Sequence, residues 1–94
     1  MDKQCSERIR VIAYRDGDSW VAQCLEYDIS AQGSDFETAM QRLEIVVNAQ
    51  CEFTQREYGQ AFARIEPAPQ VFAARWEQLT ASLAHENMDF RIAA

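Results

Sequence analysis

Glycine and proline are scarce, with three glycines and two prolines in 94 residues. Collagen-like, linker-rich and low-complexity chains need far more of both, so those classes are excluded. The three cysteines, Cys5, Cys24 and Cys51, are odd in number, lie far apart and form no Cys-x-x-Cys pair. That spacing supplies neither a zinc ligand set nor a disulfide framework, and Cys24 and Cys51 read as small buried hydrophobes. No apolar run approaches the length of a membrane span, and residues 1–10 are too polar for a signal peptide. Together these absences predict a cytoplasmic protein kept in a reduced state, with no membrane contact.

Positive charge is short as well. Nine Lys and Arg stand against fifteen Asp and Glu, a formal charge of −6. Affinity for nucleic acid depends on cations that neutralise phosphates, so no direct binding to nucleic acid is expected. A basic protein partner is favoured instead, chiefly through faster encounter. What the chain does have is a hydrophobic content of 48% with two Trp, three Tyr and five Phe, enough for a core. Its length suits a single domain over residues 1–94, and one so small gains from burial against a second copy.

Residues 8–14 alternate polar and apolar, the period of a half-buried strand. Asp16-Gly17-Asp18 supplies turn chemistry, and a second strand follows from Trp20 to Leu25. Ile29 to Gln32 makes a short third, so residues 8–33 read as an antiparallel meander. Gly33 ends it. Ser34 and Glu37 have capping-box spacing, with Asp35 as the alternative cap. Behind them Phe36, Met40, Leu43, Val47 and Cys51 recur at helical spacing as far as about Tyr58, where Gly59 stops the helix. Such a helix is about 34 Å long, so its last turns are expected to project beyond the sheet. Pro67-Ala68-Pro69 is a stiff linker. Beyond it Phe72, Trp76, Leu79 and Leu83 line a second helix, which Asn87 ends, and His85 sits near its negative end. Met88, Phe90 and Ile92 then alternate with Asp89 and Arg91 as a late fourth strand. The expected class is α+β with two layers: a three-stranded meander and a fourth strand, covered by one long helix, with a second helix at the C-terminal end.

The run Trp20-Val21-Ala22-Gln23-Cys24-Leu25-Glu26-Tyr27-Asp28-Ile29-Ser30-Ala31-Gln32-Gly33 resembles the signature region of HicB-like antitoxins. There an aromatic-Val-Ala strand leads through an acidic residue to a short strand ending in Ser-Gln-Gly or Ser-x-Gly. A capped helix follows in the family, as Ser34-Asp35-Phe36-Glu37-Thr38-Ala39 does here, and Tyr58-Gly59-Gln60 and Pro67-Ala68-Pro69 match its later segments. The similarity spans residues 8–69. Tyr27-Asp28 replaces the family's longer Leu-Pro-Gly-like turn. Residues 70–94 offer one helix and one strand, too little for the helix-turn-helix that many full-length members carry. The resemblance implies a partial ribonuclease-H-like layer, self-association, and neutralisation of a small basic ribonuclease toxin by covering it.

No catalytic constellation accompanies it. His85 has no neighbouring partner for general-base work, and Asp16 and Asp18 are turn formers before they are metal ligands. Glu26 and Asp28 lack a third ligand. The chain is therefore read as non-enzymatic, with no cofactor and no metal. The residues assigned to partner binding are Trp20, Glu26, Tyr27 and Asp28, two amphipathic anchors and two acids at strand ends. Trp20 and Tyr27 have core packing as the competing reading. Ile45 and Val46 with Val47 cannot all face one sheet, and the Phe72, Trp76, Leu79 stripe needs cover. These residues are assigned to a homodimer or higher oligomer. The alternative to an antitoxin-like module is a free-standing structural or regulatory oligomer without a toxin partner.

Overall fold

The computed structural model describes residues 8–79, 81–85 and 87–93. Its elements are β1 (Ile9–Asp16), β2 (Ser19–Cys24), β3 (Ser30–Gly33), α1 (Phe36–Tyr58), α2 (Gln70–Gln78), β4 (Leu83–His85) and β5 (Met88–Ala93). The class is α+β. The meander over residues 8–33 forms as expected, with β1 and β2 antiparallel from Val11 opposite Cys24 to Asp16 opposite Ser19. Gly17, at φ +64°, opens the two-residue loop that such a hairpin requires. The late strand also forms, and it lies parallel to β1, Ile9 opposite Met88 through Tyr14 opposite Ala93.

Two features depart from expectation. The sheet has five strands in the order β3-β2-β1-β5-β4, because Leu83 to His85 pair antiparallel with β5. The second helix stops at Gln78, and neither Leu83 nor His85 belongs to it. Its last carbonyls are taken by a distant side chain: Arg91 Nη1 donates to the Trp76 and Leu79 carbonyls at 2.7 and 2.6 Å. Leu79 is already extended, at ψ 137°.

Alternation along β1 decides the layering. Ile9 and Val11 join the core under α1, whereas Ile12 packs with Trp76, Leu25 and Ala93 on the other face, beside Phe72 and Leu79. The sheet is therefore covered by a helix on each face, which corrects the two-layer expectation. The stripe on α2 was read correctly as apolar as far as Leu79, and it found cover on its own chain.

The first helix is capped by Asp35, whose carboxylate accepts the Thr38 N–H at 2.8 Å, and it ends at Gly59 in the left-handed region. Of the two possible caps, the chain uses Asp35. Gly33 is buried at the strand–helix junction, where a Cβ would lie 2.6 Å from the Ala39 nitrogen. Ala39, Met40, Leu43, Val47, Cys51 and Thr54 form its buried face. The last turns do not project freely. The chain after Gly59 folds back so that Phe62 is buried, and its N–H donates to Thr54 Oγ1 at 2.6 Å. Phe62 adopts φ 63°, a conformation costly for an aromatic residue, held by that bond and by stacking on Tyr27 at 4.1 Å. Cys51 is buried, as expected.

Candidate functional site

The four residues assigned to partner binding do not form one surface. Trp20 sits near the start of β2, half-buried, edge-on to Phe36 at 5.6 Å and under the Arg15 guanidinium at 5.7 Å. Glu26, Tyr27 and Asp28 lie beyond the opposite end of that strand, about 20 Å along the chain at 3.3 Å per residue. Each is engaged within the fold. Glu26 accepts the Arg10 backbone N–H at 2.8 Å and pairs with its Nε at 2.7 Å. Tyr27 stacks on Phe62. Asp28 accepts from the buried Gln23 side chain at 3.1 Å, while its own N–H donates to the Glu66 carbonyl at 2.7 Å. This loop is a structural clamp between the meander and residues 60–68, tightened by the Ala68 N–H donating to the Leu25 carbonyl at 3.1 Å. Asp16 and Asp18 are exposed on the hairpin at the Trp20 end, so the acids of the meander split between its two ends.

The residues assigned to an oligomer interface also divide. Trp76 is 6% exposed, with Phe72 and Leu79 packed beside it on the same chain. Two guanidinium groups lie near its ring, Arg91 at 4.2 Å and Arg10 at 5.7 Å. Within its own chain Trp76 is buried against Ile12, Leu25 and Ala93 on the sheet's second face. Val46 is half-buried against the main core. Ile45 is 68% exposed, and together with exposed Ala49 and Phe53 it forms a ridge at i, i+4 and i+8 along α1.

A concave surface with a mixed apolar and acidic lining lies elsewhere. The first helix packs over β2 and β3, while the sheet continues past it into β5 and β4. The step between helix and sheet is a groove of about 350 Å³. Phe36, Met40, Leu83 and Phe90 line it. Phe36 and Phe90 are 5.5 Å apart, in a row that continues to Trp20. Leu83 is 50% exposed. Along the helix side Glu37, Gln41 and Glu44 form a ridge at i, i+4 and i+7, and among the described residues no Lys or Arg joins the lining. The groove thus combines an apolar floor with an anionic rim.

Leu83 and Phe90 were legible as apolar but not as neighbours, because their pairing depends on β4. Glu37 and Glu44 were visible as helix-surface acids, and only the position of α1 on the sheet turns them into a rim. Among the described residues, no three His, Cys, Asp or Glu side chains stand close enough to hold a metal ion. No helix in the same set is long and apolar enough to cross a membrane. No family model matches the chain, and no curated protein or solved structure matches it.

Proposed function

We propose that this chain is a non-enzymatic protein-binding module of the HicB antitoxin type, which masks a small basic protein partner. The observation that carries it is the groove beside α1: an apolar floor from Met40, Leu83 and Phe90 under a rim from Glu37 and Glu44. Apolar anchors bring affinity, and the rim selects a cationic partner and speeds its approach. The topology supports this reading in part: the three-stranded meander, the long helix and a later strand are present, within a five-stranded mixed sheet that also carries β4 and a helix on its second face. The net charge of −6 fits a basic partner and disfavours phosphate. The test is co-expression with a short basic protein encoded beside this chain. That protein alone should arrest growth, and this chain should restore it by forming a stable complex. A neighbour that is harmless, or that is toxic and unaffected by this chain, counts against masking.

A different observation favours a second reading, a free-standing oligomer. The Ile45, Ala49, Phe53 ridge on α1 is exposed and apolar, and it continues the i, i+4 row of Glu37 and Gln41 toward the end of the helix. A two-fold pairing of α1 with its copy would cover it.

A further inference from the structure

We infer that the wedge between α2 and the sheet is a second binding site, which takes a small organic anion with a flat aromatic body and a carboxylate. The wedge lies on the sheet face opposite the groove and shares no lining residue with it, so its occupancy is independent of masking. Its volume is about 480 Å³, within the roughly 300–1,000 Å³ of small-molecule sites. Ile12, Tyr14, Val71, Phe72, Arg75 and Ala93 line it, with Arg15 at the hairpin end.

The space follows from how α2 is seated. Phe72 and Trp76 share one helical face at i and i+4. Trp76 is buried whereas Phe72 is only half-buried, so the helix presses on the sheet at its end and stands off at its start. Under that start lie Ile12 and Tyr14, two residues apart on β1 and therefore on one face. Ala93 of β5 sits opposite Tyr14 in register. The Tyr14 and Phe72 rings, 6.1 Å apart, give the cavity an aromatic wall against which a flat ring packs well.

The charge of the lining is opposite to that of the chain. Acids outnumber bases fifteen to nine overall, yet among the described residues the charged groups of this cavity are Arg15 and Arg75. The Arg15 guanidinium lies over Trp20, 5.7 Å from the ring centroid, which leaves Arg75 as the cation placed for a carboxylate. Its fork of N–H donors matches the two carboxylate oxygens. Val71 belongs to the first turn of α2, where the helix dipole adds to the same field. Burial first, and then the Asp16 charge, push the Tyr14 hydroxyl above its ordinary pKa, so near neutrality it is a hydrogen-bond donor. One cation and one hydroxyl in an apolar chamber suit an amphipathic anion. A sugar needs more polar partners, and a nucleotide needs more positive charge.

The probe is cinnamate, with cinnamamide as its uncharged counterpart, titrated into the whole chain and followed by NMR. Cinnamate should shift the methyl signals of Ile12, Val71 and Ala93 together while leaving those of Leu83 in place. Cinnamamide should bind at least tenfold more weakly. Arg75→Gln should weaken cinnamate at least tenfold and leave cinnamamide within twofold, which separates recognition of charge from a change in the cavity's shape. Val71→Trp, at a position 66% exposed, should fill the entrance with the fold intact and abolish binding of both. No shift of the three methyl groups at millimolar cinnamate overturns the site. Cinnamamide binding as tightly as cinnamate, or cinnamate binding the Arg75→Gln chain as tightly as the parent, overturns its assignment to an anion.

Discussion

Arg91, on β5, closes the second helix from fifteen residues away: its Nη1 donates to the Trp76 carbonyl at 2.7 Å while its guanidinium carbon lies 4.2 Å above the Trp76 ring. One side chain thus caps α2, stacks on its largest residue and, through a 2.7 Å bond from Nε to Ser82, orders the turn toward β4. Replacing Arg91 with alanine leaves two helix-end carbonyls without their cation and should cost about 2 kcal/mol. Lysine should recover little of it, since an ammonium lacks the planar fork. Urea unfolding of both variants measures this. A loss under about half a kcal/mol for alanine would contradict the capping role.

Trp76 itself discriminates between internal core and interface. At 6% exposure within one chain, Trp76→Ala should destabilise the monomer by about 3–5 kcal/mol, a change independent of protein concentration. A variant that folds normally but fails to self-associate would return Trp76 to the interface.

The cap of α1 titrates. Hydrogen bonds from the Thr38 backbone and side chain hold the Asp35 carboxyl below its ordinary range. A group whose folded pKa is depressed contributes stability above its unfolded pKa and loses it as pH falls through the folded one. Asp35→Asn keeps the cap without the titration. The variant should therefore match the parent near neutrality and lose less stability on acidification below about pH 4. Denaturant midpoints across that pH range test it, and parallel curves would contradict it.

Much of the fold was legible because it is local. Alternation over residues 8–14, the Gly17 turn, the Asp35 cap and Gly59 each act within a few residues of themselves. The end of α2 was not, since Leu83 follows Leu79 by four residues and continues the helical period. The residue that stops the helix, Arg91, arrives from a strand whose parallel pairing with β1 spans nearly the whole chain. The candidate site was hidden for the same reason. Glu26 reads as a surface acid until Arg10 folds onto it, and Leu83 becomes a groove wall only when β4 pairs with β5.

Self-association is predicted along the exposed ridge of α1. Sedimentation equilibrium should show a species at twice the 10.8 kDa of the chain, and Ile45→Lys with Phe53→Lys should dissociate it without unfolding. A monomer at every concentration would remove the oligomer reading.

The most direct test of the central claim is the affinity of this chain for its basic protein partner before and after Leu83→Arg. Leu83 is half exposed at the sheet edge, so the substitution should leave the fold and its thermal midpoint unchanged. It removes an apolar anchor and sets a like charge against the partner. Calorimetric titration should show affinity falling at least tenfold, about 1.4 kcal/mol, with neutralisation lost in parallel. A basic partner that binds the Leu83→Arg chain as tightly as the parent would contradict the groove as its site.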